Sequence, residues 1–570
     1  MSTSELARRI DQGLGREPAD LVVRNARILN TATGTIDEAG DVAVCGATIV
    51  GTHGSYRGRR EVEAGGRVLA PGLIDTHLHV ESSLVLPDAF EEGVLARGTT
   101  TAVCDPHEIA NVLGVAGVRY FLDAAPSLAM TLKVSLSSCV PATELETAGA
   151  RLEIEDLLPL LDHPAALGLA EVMNFPGVLA KDEGLLAKLD AFAGRHVDGH
   201  APLLRGAGLN AYLAAGVRTD HECTTAAEGA EKLRKGVAVL MREGSVAKNV
   251  AALAPLVSDL TWPRLAFCTD DRNPLEIAEE GHIDAALRKA IRHGAPALAA
   301  WRAATLGAAM TFGLRDRGVV APGYRADLLL LDDLEEVAVR EVVCGGRVVE
   351  AGVFDGRVMP APVGYGSVRR APVAAADFAI PARGGSGPVI GVAPFSLLTE
   401  HLTLELGVEG GRHVAEPERD IQKVCVVERH GLNGNIGRGF VRGFGPLRGA
   451  IASTIGHDSH NITVLGSDDG DMATAVNHLI AIQGGAVVVQ RGEVLADLPL
   501  PVAGLMSDRG FGFERERLVT LRAAGRGIGC ALEEPFLQLA FLPLPVIPHL
   551  KLTDRGYVAA GPEGLRLLEW

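Results

Sequence analysis

The stretch PGLIDTHLHVES, residues 71–82, decides the fold. An apolar run, Leu73–Ile74, passes into a polar end that carries His77 and His79. Residues i and i+2 of a strand point to the same side, so the two imidazoles share one face and can hold one metal ion. A strand that begins apolar and finishes with ligand-type side chains is the pattern of a parallel barrel strand, whose end opens on the active-site face.

The pattern recurs downstream. Eight candidate strands follow one another: GLIDTHLHVE, TTTAVCD, LKVSLSSCV, ALGLAEV, VDGHAP, VRTDHE, AVLMREG and RLAFCTDD. Helical stretches such as DAFEEGVLARG and AAEGAEKLRKG lie between most of them. Eight β/α units over residues 73–316 match a TIM (β/α)8 barrel, typically ~250 residues. Asp105 ends the second strand, Glu171 the fourth, His200 the fifth, His221 the sixth and Asp270 the eighth. In a barrel all these ends converge.

Outside this segment the signals change. Residues 20–70 read as short strands, LVVRNARIL, DVAVCG and ATIVGTH, and a similar stretch returns at ADLLLLDD, VREVVCGG and RVVEAG. The reading is an α/β chain with the barrel inserted in a small β-sandwich, built from residues 1–72 and 317–365, plus a C-terminal α+β domain over 366–570. The Pro-, Gly- and Ala-rich stretch 353–385 reads as a connector.

Composition narrows the function. The 570 residues exceed what one core accommodates. The net charge of −17 argues against nucleic acid or an anionic membrane face as partner. The N-terminus has no apolar signal region and no stretch is long enough to span a bilayer, so a cytoplasmic location is expected. Eight scattered Cys with no CxxC pair fit a reducing compartment. The missing CxxC also sets the chain apart from the zinc nucleobase deaminases that carry that motif.

His77 and His79 supply one candidate metal, His200 and His221 a second. Glu171 bridges two cations or donates a proton to the substrate ring. Asp270 ligates and accepts the proton of a water, with Asp271 its competitor. Imidazole and carboxylate ligands without thiolate suit Zn, Fe or Mn.

Taken together, the chain closely resembles the adenine deaminases of the amidohydrolase superfamily. The likeness rests on PGLIDTHLHVESS, ARGTTTAVCDPHEIANVLG, LGLAEVMNFPGV, GHAPLLRGAGLNAYLAAGVRTDHECTT, FCTDDRNPLEIAEEGHIDAALRKAI and APGYRADLLLLDDL. In the C-terminal region it rests on NGNIGRGFVRGFGPLRGAIASTIGHDSHNITVLGSDDGDM and LPLPVAGLMSD. HxH marks only the superfamily; DPHEIANVLG, DHECTT and GHDSHN are more specific. The resemblance implies hydrolytic deamination of adenine to hypoxanthine and ammonia at a binuclear divalent centre of Mn2+, Fe2+ or Zn2+. The implied metal residues are His77, His79, Glu171, His200, His221 and Asp270, with Asp270 and Glu171 catalytic. Asp105, His107, Glu108 and Glu222 fall on the substrate side. Adenine is the expected partner, in a homo-oligomer. GHDSHN, residues 456–461, is expected at the barrel mouth. Two positions depart from the family pattern: Asn273 where a His is expected, and Gly456 where an Ala is. The competing readings are an N6-substituted adenine as substrate, a cyclic-amide hydrolase, and an inactive barrel used as a scaffold. Cyclic-amide hydrolases often carry a carboxylated Lys where this chain has Glu171, and a scaffold would be free to lose ligands.

Overall fold

The computed structural model describes residues 2–561 and 564–570. All eight candidate strands of the middle segment form. Numbered in chain order, they are β1 (Leu73–Leu78), β2 (Thr99–Cys104), β3 (Thr131–Leu136), β4 (Ala166–Val172), β5 (His196–Gly199), β6 (Thr219–Asp220), β7 (Ala238–Arg242) and β8 (Leu265–Cys268). β1 to β5 make one parallel sheet in chain order, and β6 to β8 a second. Backbone hydrogen bonds link the two sheets at both edges. Arg218 N donates to Val197 O at 3.1 Å, beside β5 and β6. Asp270 N donates to His77 O at 3.0 Å and His79 N to Asp270 O at 3.3 Å, beside β8 and β1.

Helices cross between the strands, among them Pro87–Leu95, Val115–Ala124, Gly206–Ala214, Ala226–Arg234 and Ile283–Arg292. They cover the outer face, so β1, β2, β7 and β8 are buried along their whole length. This explains why β7 and β8 read as near-continuous apolar runs rather than alternating ones.

The two flanking β-rich stretches meet in one nine-stranded sheet. The junction is an antiparallel pairing of Leu328–Asp333 with Val68–Pro71, in register Leu328 to Pro71. That sheet grips the chain immediately before β1 and holds both ends of the middle segment together.

Residues after the connector build an eight-stranded sheet running from Ser386–Val392 to Glu493–Pro499. The helix Asp469–Ile482 buries Met472, Ala475, Val476 and Leu479 against it. The helix Phe511–Gly527 packs Leu518 and Leu521 into a separate apolar cluster. The connector itself holds only a short 3-10 turn, Ala375–Phe378, and the two-residue strand Ile380–Pro381 within residues 353–385. This region is clamped to the loop after β3. Thr147 donates from N and Oγ1 to the two carboxylate oxygens of Asp554, at 2.9 and 2.7 Å, and Asn461 Nδ2 donates to Thr147 O at 2.8 Å. All eight Cys are buried and free. Among the described residues, no helix is long and apolar enough to cross a membrane.

Candidate active site and metal centre

The polar strand ends converge. His77 lies in β1 and His79 just beyond it; Glu171 lies in β4; His200 follows β5, His221 follows β6 and Asp270 lies two residues past β8. All six are buried. Asp270 Oδ1 lies 3.6 Å from His77 Nε2 and 3.1 Å from His79 Nε2. Glu171 divides its oxygens between the two histidine pairs. Oε1 lies 3.7 Å from His77 Nε2 and 3.4 Å from His79 Nε2, whereas Oε2 lies 2.7 Å from His200 Nδ1 and 3.3 Å from His221 Nε2.

The chemistry of this set fits divalent metal. Ligand atoms of a tetrahedral site with bonds of ~2.0–2.1 Å stand roughly 3.3 Å apart, which is the spacing found. His77 Nε2, which faces both carboxylates, is buried with no hydrogen-bond partner among the described residues. The rear nitrogens of the first pair are anchored. His77 Nδ1 pairs with Asp198 Oδ2 at 2.8 Å, and His79 Nδ1 with the Asp105 carbonyl at 2.9 Å. A carboxylate or carbonyl behind the imidazole fixes its tautomer and turns the other nitrogen forward.

The sequence reading did not find Asp198 or Arg242. Asp198 shares a strand face with His200 two residues on, the same spacing as His77 and His79, and that was its signal. Burial opposes its charge, yet His77 holds the carboxyl down at about 2. Arg242 is the polar end of β7. Its Nη1 donates to Asp270 Oδ2 at 2.6 Å, and the same guanidinium grips Glu222. Burial disfavours the charge of Asp270, but Arg242, His77 and His79 hold its carboxyl well below the usual range. Glu222 is lowered in the same way, against burial, by Arg242, His200 and His221. Asp271 is pushed the other way, by burial and by Asp270; it accepts a hydrogen bond from Ser82.

One cavity is lined from both sides. His79, His107, Glu108, Glu171, His200, His221, Glu222, Arg242, Asp270 and Asp271 come from the strand ends. Leu397, His457, Asp458, Phe541, Leu544 and Ile547 come from the C-terminal region. GHDSHN therefore reaches the mouth, as expected, with His457 Nδ1 2.9 Å from Glu108 Oε1. His460 is fully buried behind it, facing the other Glu108 oxygen. Asp105 sits one layer below the cavity, accepting from Ser137 Oγ at 2.9 Å and pairing with His107 Nδ1 at 3.0 Å.

The two departures have local causes. Asn273 caps the helix Pro274–Glu279, accepting from Glu276 N at 3.0 Å, and donates to Ser245 at 2.7 Å. It does not line the cavity. At Gly456 an added Cβ would meet Thr463 Oγ1 at 2.8 Å and Asn461 O at 3.0 Å, so the tight turn before His457 leaves no room for a methyl group.

Comparison with known proteins adds the following. Residues 68–349 match the amidohydrolase family, and residues 396–561 match the adenine deaminase C-terminal domain. The chain is 62% identical to an adenine deaminase of Methylobacterium nodulans over 97% of this chain and 98% of that one. It is 60% identical to an adenine deaminase of Cereibacter sphaeroides over 96% and 97%. Gluconobacter oxydans has a third at 57% identity over 97% and 98%. Among solved structures, the N-acetyl-D-glucosamine-6-phosphate deacetylase of Mycobacterium smegmatis aligns with a TM-score of 0.44 at 19% identity, over 58% of this chain and all of that one.

Proposed function

The chain belongs to the adenine deaminase family of amidohydrolases, and from that premise we infer that it hydrolyses adenine to hypoxanthine and ammonia. The eight linked strands are read as a (β/α)8 barrel spanning 73–316. The sheet of residues 1–72 and 317–365 brackets it, and a C-terminal domain, 366–570, covers its mouth.

One observation carries the site assignment: a single carboxylate, Glu171, faces two histidine pairs with its two oxygens. We infer that His77, His79, His200, His221, Glu171 and Asp270 would hold a binuclear centre of Mn2+, Fe2+ or Zn2+, with Glu171 facing both histidine pairs. Bound there, a divalent metal lowers the pKa of a water to about 7 and so supplies the nucleophile near neutral pH. The rest falls to the chain's own groups. Asp270, held ionised by Arg242 and its histidines, accepts the proton of the attacking water and passes it to the exocyclic nitrogen. The C6–O bond forms, the C6–N bond breaks and ammonia leaves. With both oxygens of Glu171 turned to histidines, ring protonation falls to a neighbouring carboxyl. Asp271, which burial and Asp270 push toward its protonated form, is the one assigned: it gives its proton to the ring nitrogen and takes back the water's second hydrogen from the C6 oxygen as the carbonyl forms. His107, Glu108 and Glu222 stand on the substrate side with Asp105 behind His107, and the apolar residues Phe541, Leu544 and Ile547 offer a surface for the flat purine. A homo-oligomer is retained as the working assembly.

The test is hypoxanthine formation or amine release, ammonia or, from N6-methyladenine, methylamine, by manganese-loaded protein given adenine, adenosine, N6-methyladenine, cytosine and guanine. Adenine should react fastest and adenosine poorly or not at all. Adenosine outrunning adenine would overturn the substrate assignment. N6-methyladenine outrunning it would move the activity to N6-substituted purines, releasing methylamine.

A further inference from the structure

Beside the six residues assigned to the binuclear centre stands a second convergence of ligand-type atoms. His107 Nε2 lies 3.3 Å from Glu108 Oε1 and 3.7 Å from Asp458 Oδ1. His457 Nδ1 lies 2.9 Å from Glu108 Oε1 and 3.8 Å from Asp458 Oδ1. Four of the six edges of a tetrahedron are thus defined, and they scatter around the roughly 3.3 Å expected for bonds of ~2.0–2.1 Å.

These atoms are close without being hydrogen-bonded. Among the described residues, neither oxygen of Glu108 has a hydrogen-bond partner, nor does Asp458 Oδ2, although imidazole nitrogens lie beside them. All four residues are at most 3% exposed. Buried carboxylates left unpaired are costly, and natural proteins seldom keep several in one place. Of the four converging atoms, Glu108 Oε1, which lies within reach of both imidazoles, is itself buried without a partner. The first centre has the same signature: His77 Nε2 lies within 4 Å of two carboxylates and bonds to neither.

The surrounding groups orient this set as supports orient metal ligands. His107 is held from behind through Nδ1 by Asp105 Oδ2 at 3.0 Å. His457 stacks flat on Phe541, with ring centroids 4.3 Å apart and planes 8° apart. His460 faces the Glu108 oxygen that is turned away from His457.

We propose that His107, Glu108, His457 and Asp458 form a further metal site, taking one divalent transition cation through two imidazoles and two carboxylates. Such a donor set suits Zn2+, Mn2+ or Fe2+. Two of its ligands open the helix His107–Leu113 after β2 and two come from the C-terminal region, so the cation ties the two together beside the cavity. It gives His107 and Glu108 their place on the substrate side: they act there by holding a cation. The site stands on its own four residues and does not depend on how many metals the first centre holds.

The experiment is elemental analysis of full-length protein expressed with manganese and freed of loose metal by gel filtration. Wild type should hold about three equivalents. The double variant His457→Asn, Asp458→Asn should lose one, and His200→Ala, His221→Ala should lose one from the first centre while keeping this one. Two equivalents in wild type, unchanged in the His457 and Asp458 variant, would overturn the proposal and leave the binuclear centre intact. Two in wild type with one lost in each variant would uphold this site and overturn the binuclear reading instead. Should the double variant fail to fold by circular dichroism, Asp458→Asn alone is titrated with Mn2+. Its weakest equivalent should then bind roughly tenfold or more less tightly, the loss that even an outer partner of a ligand causes. An unchanged titration overturns the proposal.

Discussion

Asp270 holds a φ of +57°, in the left-handed region. Short polar residues tolerate that conformation better than most, and its cost is commonly carried at functional positions. The bend turns the carboxylate of Asp270 toward His77 and His79 while its backbone bonds to the edge of β1. Asp270→Asn keeps the shape, the tolerance of this φ and one coordinating oxygen, but it cannot accept a proton. We expect turnover to fall by about 10²–10⁴-fold, with a modest change in KM and with metal largely retained, measured by steady-state ammonia release and elemental analysis. Turnover within a few-fold of wild type would hand the proton to Asp271. At this scale the sequence was informative wherever a ligand-type residue ended an apolar strand, as at His77, Glu171 and Asp270. It gave only the two-residue spacing from His200 for Asp198 and nothing for Arg242, because each acts on another side chain and only three-dimensional contact reveals the pairing. It also left Glu171 open between two roles, which the division of its oxygens between histidine pairs favours resolving toward bridging.

Glu514 shows how an element can carry an electrostatic cost. It lies in the first turn of the helix Phe511–Gly527, fully buried, and neither oxygen has a hydrogen-bond partner. Burial pushes its carboxyl up to about 7. The folded protein therefore binds the proton more tightly than the unfolded chain, whose carboxyl titrates near 4.3. Stability should fall as pH rises from about 4.5 to about 7, and the loss is complete above that. The span corresponds to roughly 3 kcal/mol. Glu514→Gln should remove this slope and raise the melting temperature at pH 8, read by thermal unfolding across pH. A variant as pH-dependent as wild type between 4.5 and 7 would refute the assignment. Elements were the most legible level of this chain. The strands of the middle segment could be read because several begin apolar and finish polar, with helical stretches between most of them. The N-terminal helix Thr3–Gly13 was not anticipated, although Ser2 caps it and Leu6 and Ile10 recur at helical spacing; those apolar side chains stay exposed rather than joining a core.

On the scale of the molecule, the two β-rich ends meet in a single sheet, as their similar strand patterns suggested. How the C-terminal region sits over the strand ends could not be read beyond the arrival of GHDSHN. The contacts that seat it, between Thr147, Asn461 and Asp554, are polar pairs from distant loops with no periodic signature. Asp554 accepts both bonds from Thr147 and a third from Asn435 Nδ2 at 3.0 Å. Asp554→Ala should leave the buried donors of Thr147 unpaired and cost about 1–3 kcal/mol. In calorimetry the C-terminal region should begin to unfold ahead of the rest; a single transition at the wild-type temperature would show that this clamp does not seat it. The shared cavity wall has a consequence for how such an enzyme can change over generations. The side chains proposed to break the bond and those proposed to fit the purine line one cavity from stretches of gene far apart. Drift around Leu397 or Phe541–Ile547 can therefore retune which base is accepted while leaving the machinery around Asp270 untouched.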